Sequence, residues 1–264
     1  MMFSINMHAE KNREVEKMRS SRIFRIIIAA AMTLTVLGLS GCTGGKKTLV
    51  MATNAEFPPY EYYEDDKMVG IDIELAEAVA ADMGYKLEII DMDFGSLITS
   101  IESGKADIAV AAISVTDEKL QRIDFSIPYE KASQLIIVPE NSDISSVADL
   151  KGRHIGVQNF TTGEIFASDI EDVTIDSFSN GTQAIEALKK GKIDAVVIDG
   201  EPAKVYAERD DGLKIIDEPL TEEEYAIGVA KNNAVLLKKI NRSIENLRES
   251  GKIDEIREKY IKAN

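Results

Sequence analysis

Residues 100–112 read SIESGKADIAVAA, and residues 187–199 read ALKKGKIDAVVID. In each copy a helix end runs into a Gly-Lys turn, an aspartate and a hydrophobic strand. Glycine suits the left-handed residue that closes a helix, and an unbroken apolar run of strand length suits a strand covered on both faces. The duplication predicts an α/β chain of two similar lobes. A third echo at residues 249–254 sits in the helical C-terminus, where a glycine after an amphipathic helix is ordinary capping chemistry. Asp107 and Asp194, the aspartates of the repeated turn, are expected to serve structure.

Outward from the first copy, residues 48–53 (TLVMAT) and 86–92 read as strands, 71–82 (IDIELAEAVAAD) as an amphipathic helix, and 95–103 as a helix ended by Gly104. The strand that opens at Asp107 is expected to run to Ser114. Residues 151–158 (KGRHIGVQ) open the second lobe as 47–53 open the first, with 139–150 as a surface connection.

Ligands of open α/β sheets bind beyond the carboxyl ends of strands. After TLVMAT come Asn54, Glu56 and Phe57. The first repeat ends in Ala112, with Ile113, Ser114 and Thr116 following, and after HIGV come Gln158, Thr161 and Thr162. The second repeat ends in Asp199. Thr116, Asp117 and Glu118 begin a helix through capping and dipole interaction, so free N–H groups gather just after Ser114, with Lys119 one turn on. That combination suits a small carboxylate. Thr161 with Glu164 fits a capping box, which points a second helix start at the same cleft, and Asp199 could pair with an amine. Each residue also has a plainer use. Hydroxyls are the usual caps, Phe57 and Phe94 suit a core, and Asp199 could cap a helix at Pro202. The run Glu222-Glu223-Glu224 is expected on a solvated face.

The N-terminus carries an address. Arg22 and Arg25 precede an apolar run from Ile26 to Leu39, too short to span a bilayer but suited to the core of a signal peptide. It ends in Leu39-Ser40-Gly41-Cys42, which resembles the lipobox of bacterial lipoproteins, with the chain's only cysteine as the lipidated first mature residue. Residues 1–41 are thus expected to be a signal segment, with Met18 as the expected start of translation because the residues before it are polar and unlike a signal, and 42–47 (CTGGKK) a flexible tether. The removed segment holds six Lys/Arg and three Asp/Glu, which leaves 25 basic against 43 acidic residues and a net charge of −18 on a mature chain of 223 residues. That acidity argues against nucleic-acid binding. Without a second cysteine the domain folds on its core alone. Scattered Asp and Glu with no paired His or Cys make no recognisable metal site, and no cofactor motif is visible.

Ala52-Thr53-Asn54-Ala55-Glu56-Phe57-Pro58-Pro59-Tyr60-Glu61, Val69-Gly70-Ile71-Asp72, Ser114-Val115-Thr116-Asp117-Glu118, Gly156-Val157-Gln158, Thr161-Thr162-Gly163 and Ile193-Asp194-Ala195 resemble the solute-binding proteins that serve amino-acid ABC transporters. The resemblance covers the chain from Thr48 onward. It implies a type II periplasmic-binding-protein-like fold, with two α/β lobes joined by a two-strand hinge near residues 129–136 and 225–228. Lobe one would comprise 48–132 and 227–264, and lobe two 133–226. It further implies a monomer that captures a free amino acid between its lobes and, lipid-anchored at the extracytoplasmic face of the cell membrane, delivers it to ABC permease and ATPase subunits. Ser114, Thr116 and Lys119 with Thr161 or Thr162 would hold the α-carboxylate and Asp199 the α-amine. Phe57 and Phe94 would sandwich the side chain, and Asn54, Glu56 and Gln158 would read its end. The chain departs from the family twice: Lys119 stands where arginine is usual, giving one hydrated point charge in place of a fork, and Phe160 stands where a small residue is common. Two other readings stay open, an enzyme of the cyclohexadienyl dehydratase kind on the same fold with a carboxylate base such as Glu56, and an amino-acid sensor. The identity of the amino acid is left open.

Overall fold

The structure, a computed structural model, describes residues 47–261. The signal segment, Cys42 and the rest of the tether before Lys47 lie outside the described residues. Two five-stranded sheets carry the fold. The first comprises β1 (Thr48–Thr53), β5 (Lys86–Asp91), β6 (Ile108–Ala109), β7 (Ile123–Phe125) and β15 (Gly228–Ala230), in the order β5-β1-β6-β15-β7. The second comprises β9 (Gln134–Pro139), β10 (His154–Gln158), β11 (Thr174–Phe178), β12 (Ala195–Asp199) and β13 (Leu213–Ile216), in the order β11-β10-β12-β9-β13. In both, three parallel strands are extended by two more through two antiparallel pairings. The chain crosses between the sheets twice, through β8 (Glu130–Ala132) and β14 (Glu223–Tyr225), which pair antiparallel as a short ladder of their own. A small meander of β2 (Glu56–Phe57), β3 (Glu61–Glu64) and β4 (Lys67–Val69) follows β1.

Helices cover the sheets. Those of the first half are α1 (Ile71–Asp82), α2 (Leu97–Glu102) and α3 (Asp117–Arg122). The second half has α4 (Thr162–Ser168), α5 (Gly181–Lys189) and α6 (Gly200–Glu208), and α7 (Ala234–Glu249) and α8 (Lys252–Tyr260) return to α1. Leu49, Met51, Ile108, Ile240 and Ile244 are at most 1% exposed in one core, and Ile136, Val138, Ile155 and Val157 are sealed in the second sheet. None of the helices among the described residues is long and apolar enough to cross a membrane.

The repeat is a structural unit. Gly104 and Gly191 both adopt left-handed backbone, φ 72° and 66°, and end α2 and α5. Asp107 then exchanges two bonds with β1: its N–H donates to the Val50 carbonyl (2.8 Å) and its carboxylate accepts from the Val50 N–H (2.8 Å). Asp194 does the same with His154 of β10, at 2.8 Å for both bonds. Each aspartate thus staples a central strand to its neighbour where the strand begins.

Three expectations need correction. The strand from Asp107 does not run to Ser114 but ends at Ala109, because the Ala112 N–H donates to the buried Asp72 carboxylate (2.7 Å) and Ala112 turns to φ 46°. Beyond that kink Ser114 makes only an isolated bridge to Tyr225. The helix over 95–103 starts as a 3-10 turn, Phe94–Ser96, before α2. The connection over 139–150 is more than surface: Ile144 and Leu150 are buried in the second core, and Ser146 with Asp149 forms a capping box.

Candidate functional site

Between the two sheets lies a narrow cavity lined from both sides. From the first half come Asn54, Phe57, Phe94, Ala112, Ser114 and Lys119; from the second come Gln158, Thr161, Thr162 and Asp199. The space open to the centre of a water-sized sphere is about 20 Å³, roughly one water molecule. An amino acid therefore enters only if the halves part. They touch through polar side chains, the Gln158 amide donating to the Asn54 carbonyl oxygen (3.3 Å).

The kink after β6 builds one wall. Ser114 and Thr116 follow it, and Thr116 caps α3 by accepting from the Lys119 N–H (3.2 Å). Thr116 thereby faces an outer cavity and does not line the inner one. Lys119 turns back, and its Nζ donates to the Ser114 carbonyl (3.0 Å). Burial lowers its pKa, while the carboxylates of Glu223 and Asp199 pull the other way. The neighbouring cation Arg122 points elsewhere, to Glu102 and Thr99 on the rim.

The opposite wall carries the negative charge. Asp199 ends β12 at 7% exposure and makes no side-chain cap for α6, so the capping alternative does not hold. The buried Tyr225 hydroxyl donates to it. Burial pushes its carboxyl up to about 7, with the Tyr225 bond opposing and the Glu223 charge adding to the rise. Thr161 caps α4 by accepting from the Glu164 N–H (3.3 Å). The reciprocal half of the expected box is displaced by one residue, the Glu164 carboxylate accepting from the Phe160 N–H (2.8 Å).

Two more residues named from the sequence lie off the inner cavity. Ile113 is core at 1% exposure, and Glu56 is exposed, accepting from the Asn54 amide (3.4 Å). Two carboxylates were missed. Glu61 lines the cavity at 1% exposure with one oxygen lacking a partner. Burial and the adjacent Asp72 raise its pKa well above the carboxylate range. Glutamate is a surface residue by default, so nothing in the local pattern marks this one. Glu223 of the Glu222–Glu224 run is half-buried, not solvated: it accepts from Ser114 and from Thr162 (2.7 Å), with Thr221 on its other oxygen (2.7 Å). One hydroxyl from each half thus converges on a single carboxylate. Glu222 and Glu224 are exposed.

Among the described residues no group of three or more His, Cys, Asp or Glu is arranged to hold a metal ion. A half-buried cation, a buried carboxylate and two phenyl rings around one small cavity can receive a zwitterion with an attached side chain.

The sequence profile of the bacterial extracellular solute-binding proteins, family 3, matches residues 49–263. The chain is similar to the arginine-binding extracellular protein ArtP of Bacillus subtilis (31% identical, covering 89% of this chain and 96% of the relative). It is also similar to a probable histidine-binding protein of Neisseria gonorrhoeae (33% identical, covering 89% and 94%). Among solved structures, an ancestral arginine-binding protein bound to arginine superposes with a TM-score of 0.79 at 38% identity, covering 82% of this chain and 99% of that one.

Proposed function

The chain belongs to the bacterial extracellular solute-binding proteins of family 3, and from that membership we propose how its cleft works. It is an extracytoplasmic binding protein, not an enzyme, and it captures an amino acid for import by an ABC transporter. The expected ligand is L-arginine, since the ArtP protein and the ancestral protein described above are both named for arginine.

The observation that carries the reading is one cavity lined by Lys119 from the first half and Asp199 from the second. Lys119, with Ser114, Thr161 and Thr162, takes the α-carboxylate, and Asp199 takes the α-ammonium. The two hydroxyls that already hold the Glu223 carboxylate support the first half of that assignment. Phe57 and Phe94 flank the side chain. Because only the closed form reaches the ligand from both lobes, binding shifts the hinge at β8 and β14 toward closure. The lobes are 48–132 with 227–264, and 133–226. The closed monomer docks on the permease, and a lipid on Cys42 keeps it at the membrane after residues 1–41 are removed.

Isothermal titration calorimetry against the standard amino acids tests the reading. Arginine should bind, and binding of none would sink it. Mass spectrometry of the membrane fraction should find diacylglycerol on Cys42 and none in Cys42→Ser.

A further inference from the structure

Phe160 has no role in the clamp just described, yet its placement is unusual in three ways. It sits at φ 66°, backbone that non-glycine residues rarely adopt. It is 68% exposed, although it is among the largest apolar side chains of the protein. Its ring nevertheless lies against the other side of the cleft. A methyl group built on Gly95 of the opposite half would stand 2.5 Å from Phe160 Cδ2 and 2.6 Å from Cε2, so the ring rests directly on the bare backbone of Gly95.

Phe160 and Gly95 both line an outer cavity of about 280 Å³. Phe94, Lys119 and Thr161 line this space and the inner cavity alike, so the two adjoin, and Thr116, Glu118, Arg122 and Glu164 complete its polar side. The Phe160 backbone is pinned, its N–H donating to Glu164 (2.8 Å), whose other oxygen accepts from Ser177 (2.8 Å). A ring fixed on one lobe and seated on a glycine of the other exists as a contact only when the lobes are together.

We propose that Phe160 is a gating residue, closing the mouth of the ligand cleft against Gly95 and thereby setting how slowly a bound amino acid leaves. This rests on the amino-acid-capture reading. The ring touches no part of the inner cavity, so it acts on escape and not on recognition. A contact formed after encounter changes the dissociation rate more than the association rate.

The probe is radiolabelled L-arginine, chased with unlabelled arginine. Phe160→Ala should release it roughly tenfold faster, with association changed by less than about twofold. Gly95→Val, which pushes the ring away from the other lobe, should do the same, and because it alters a different element a folding defect in one variant does not explain both. The chain has no tryptophan, so Phe160→Trp supplies a single reporter whose emission should shift to the blue when arginine closes the lobes. Release rates in both variants within about twofold of wild type would overturn the gate while leaving capture intact. Failure of the wild type to bind arginine in calorimetry would instead overturn the capture reading and the gate with it.

Discussion

Ala112 and Asp199 are the last residues of the two copies of the repeat, and they end up doing opposite things. Up to Asp107 and Asp194 the copies match bond for bond, each aspartate fastening its strand to a neighbour. In the second copy the strand then runs on through Ala195–Asp199 and delivers a buried carboxylate to the cleft. In the first, Asp72 captures the Ala112 N–H, the backbone turns to φ 46°, and the strand stops after two residues. The chain then loops outward and brings Ser114 and Lys119 to the cavity. One motif, continued or broken, therefore presents an anion on one side of the cleft and a cation on the other.

The largest way to break this contrast is Asp199→Asn. Removing one partner of a buried charge pair costs on the order of 3 kcal/mol, so arginine affinity should fall roughly 100-fold. The same carboxylate imposes a pH dependence. Burial raises it to about 7, and an α-ammonium needs it ionised. Affinity should therefore weaken as pH falls below about 7, by up to about tenfold per unit, and Asp199→Asn should flatten that slope in calorimetry. The ligand-free protein should show the reverse sign. A carboxyl whose folded pKa is raised contributes stability that is fully present below about 4 and lost as pH rises through about 7. Asp72, pushed to about 6 chiefly by burial, adds to that loss as pH rises.

The staples come next. Asp107→Ala should cost about 1–3 kcal/mol in urea unfolding, whereas Asp194→Ala should cost about 1 kcal/mol or less, because its bond to His154 is more exposed than the bond to Val50. The smallest effect tests the kink. Ala112→Gly should change stability by less than about 0.5 kcal/mol, since relief of the left-handed backbone offsets the extra freedom of the unfolded chain. Ala195→Gly, in the extended half of the same comparison, should cost about 1 kcal/mol.

The repeat, the strand–helix alternation and the polar residues at strand ends were legible because each rests on local pattern. The kink was not. Residues 108–113 are uniformly apolar, and the group that breaks the strand is a carboxylate 40 positions before Ala112, Asp72, brought in by the first turn of α1. Glu61 and Glu223 escaped for a related reason. Both are ordinary surface residue types, and only the meander and the hinge ladder turn them inward. Thr116, Ile113 and Glu56 show the converse: each lies in the right segment, but capping, core packing and exposure take them away from the inner cavity.

The most direct test is a calorimetric cycle of L-arginine and L-arginine amide, which lacks the carboxylate charge, against wild type and Lys119→Ala. If Lys119 holds the carboxylate, the amide should bind wild type at least about tenfold more weakly than arginine, while Lys119→Ala should barely distinguish the two. Equal discrimination by both proteins would contradict the assignment of the cation to that wall.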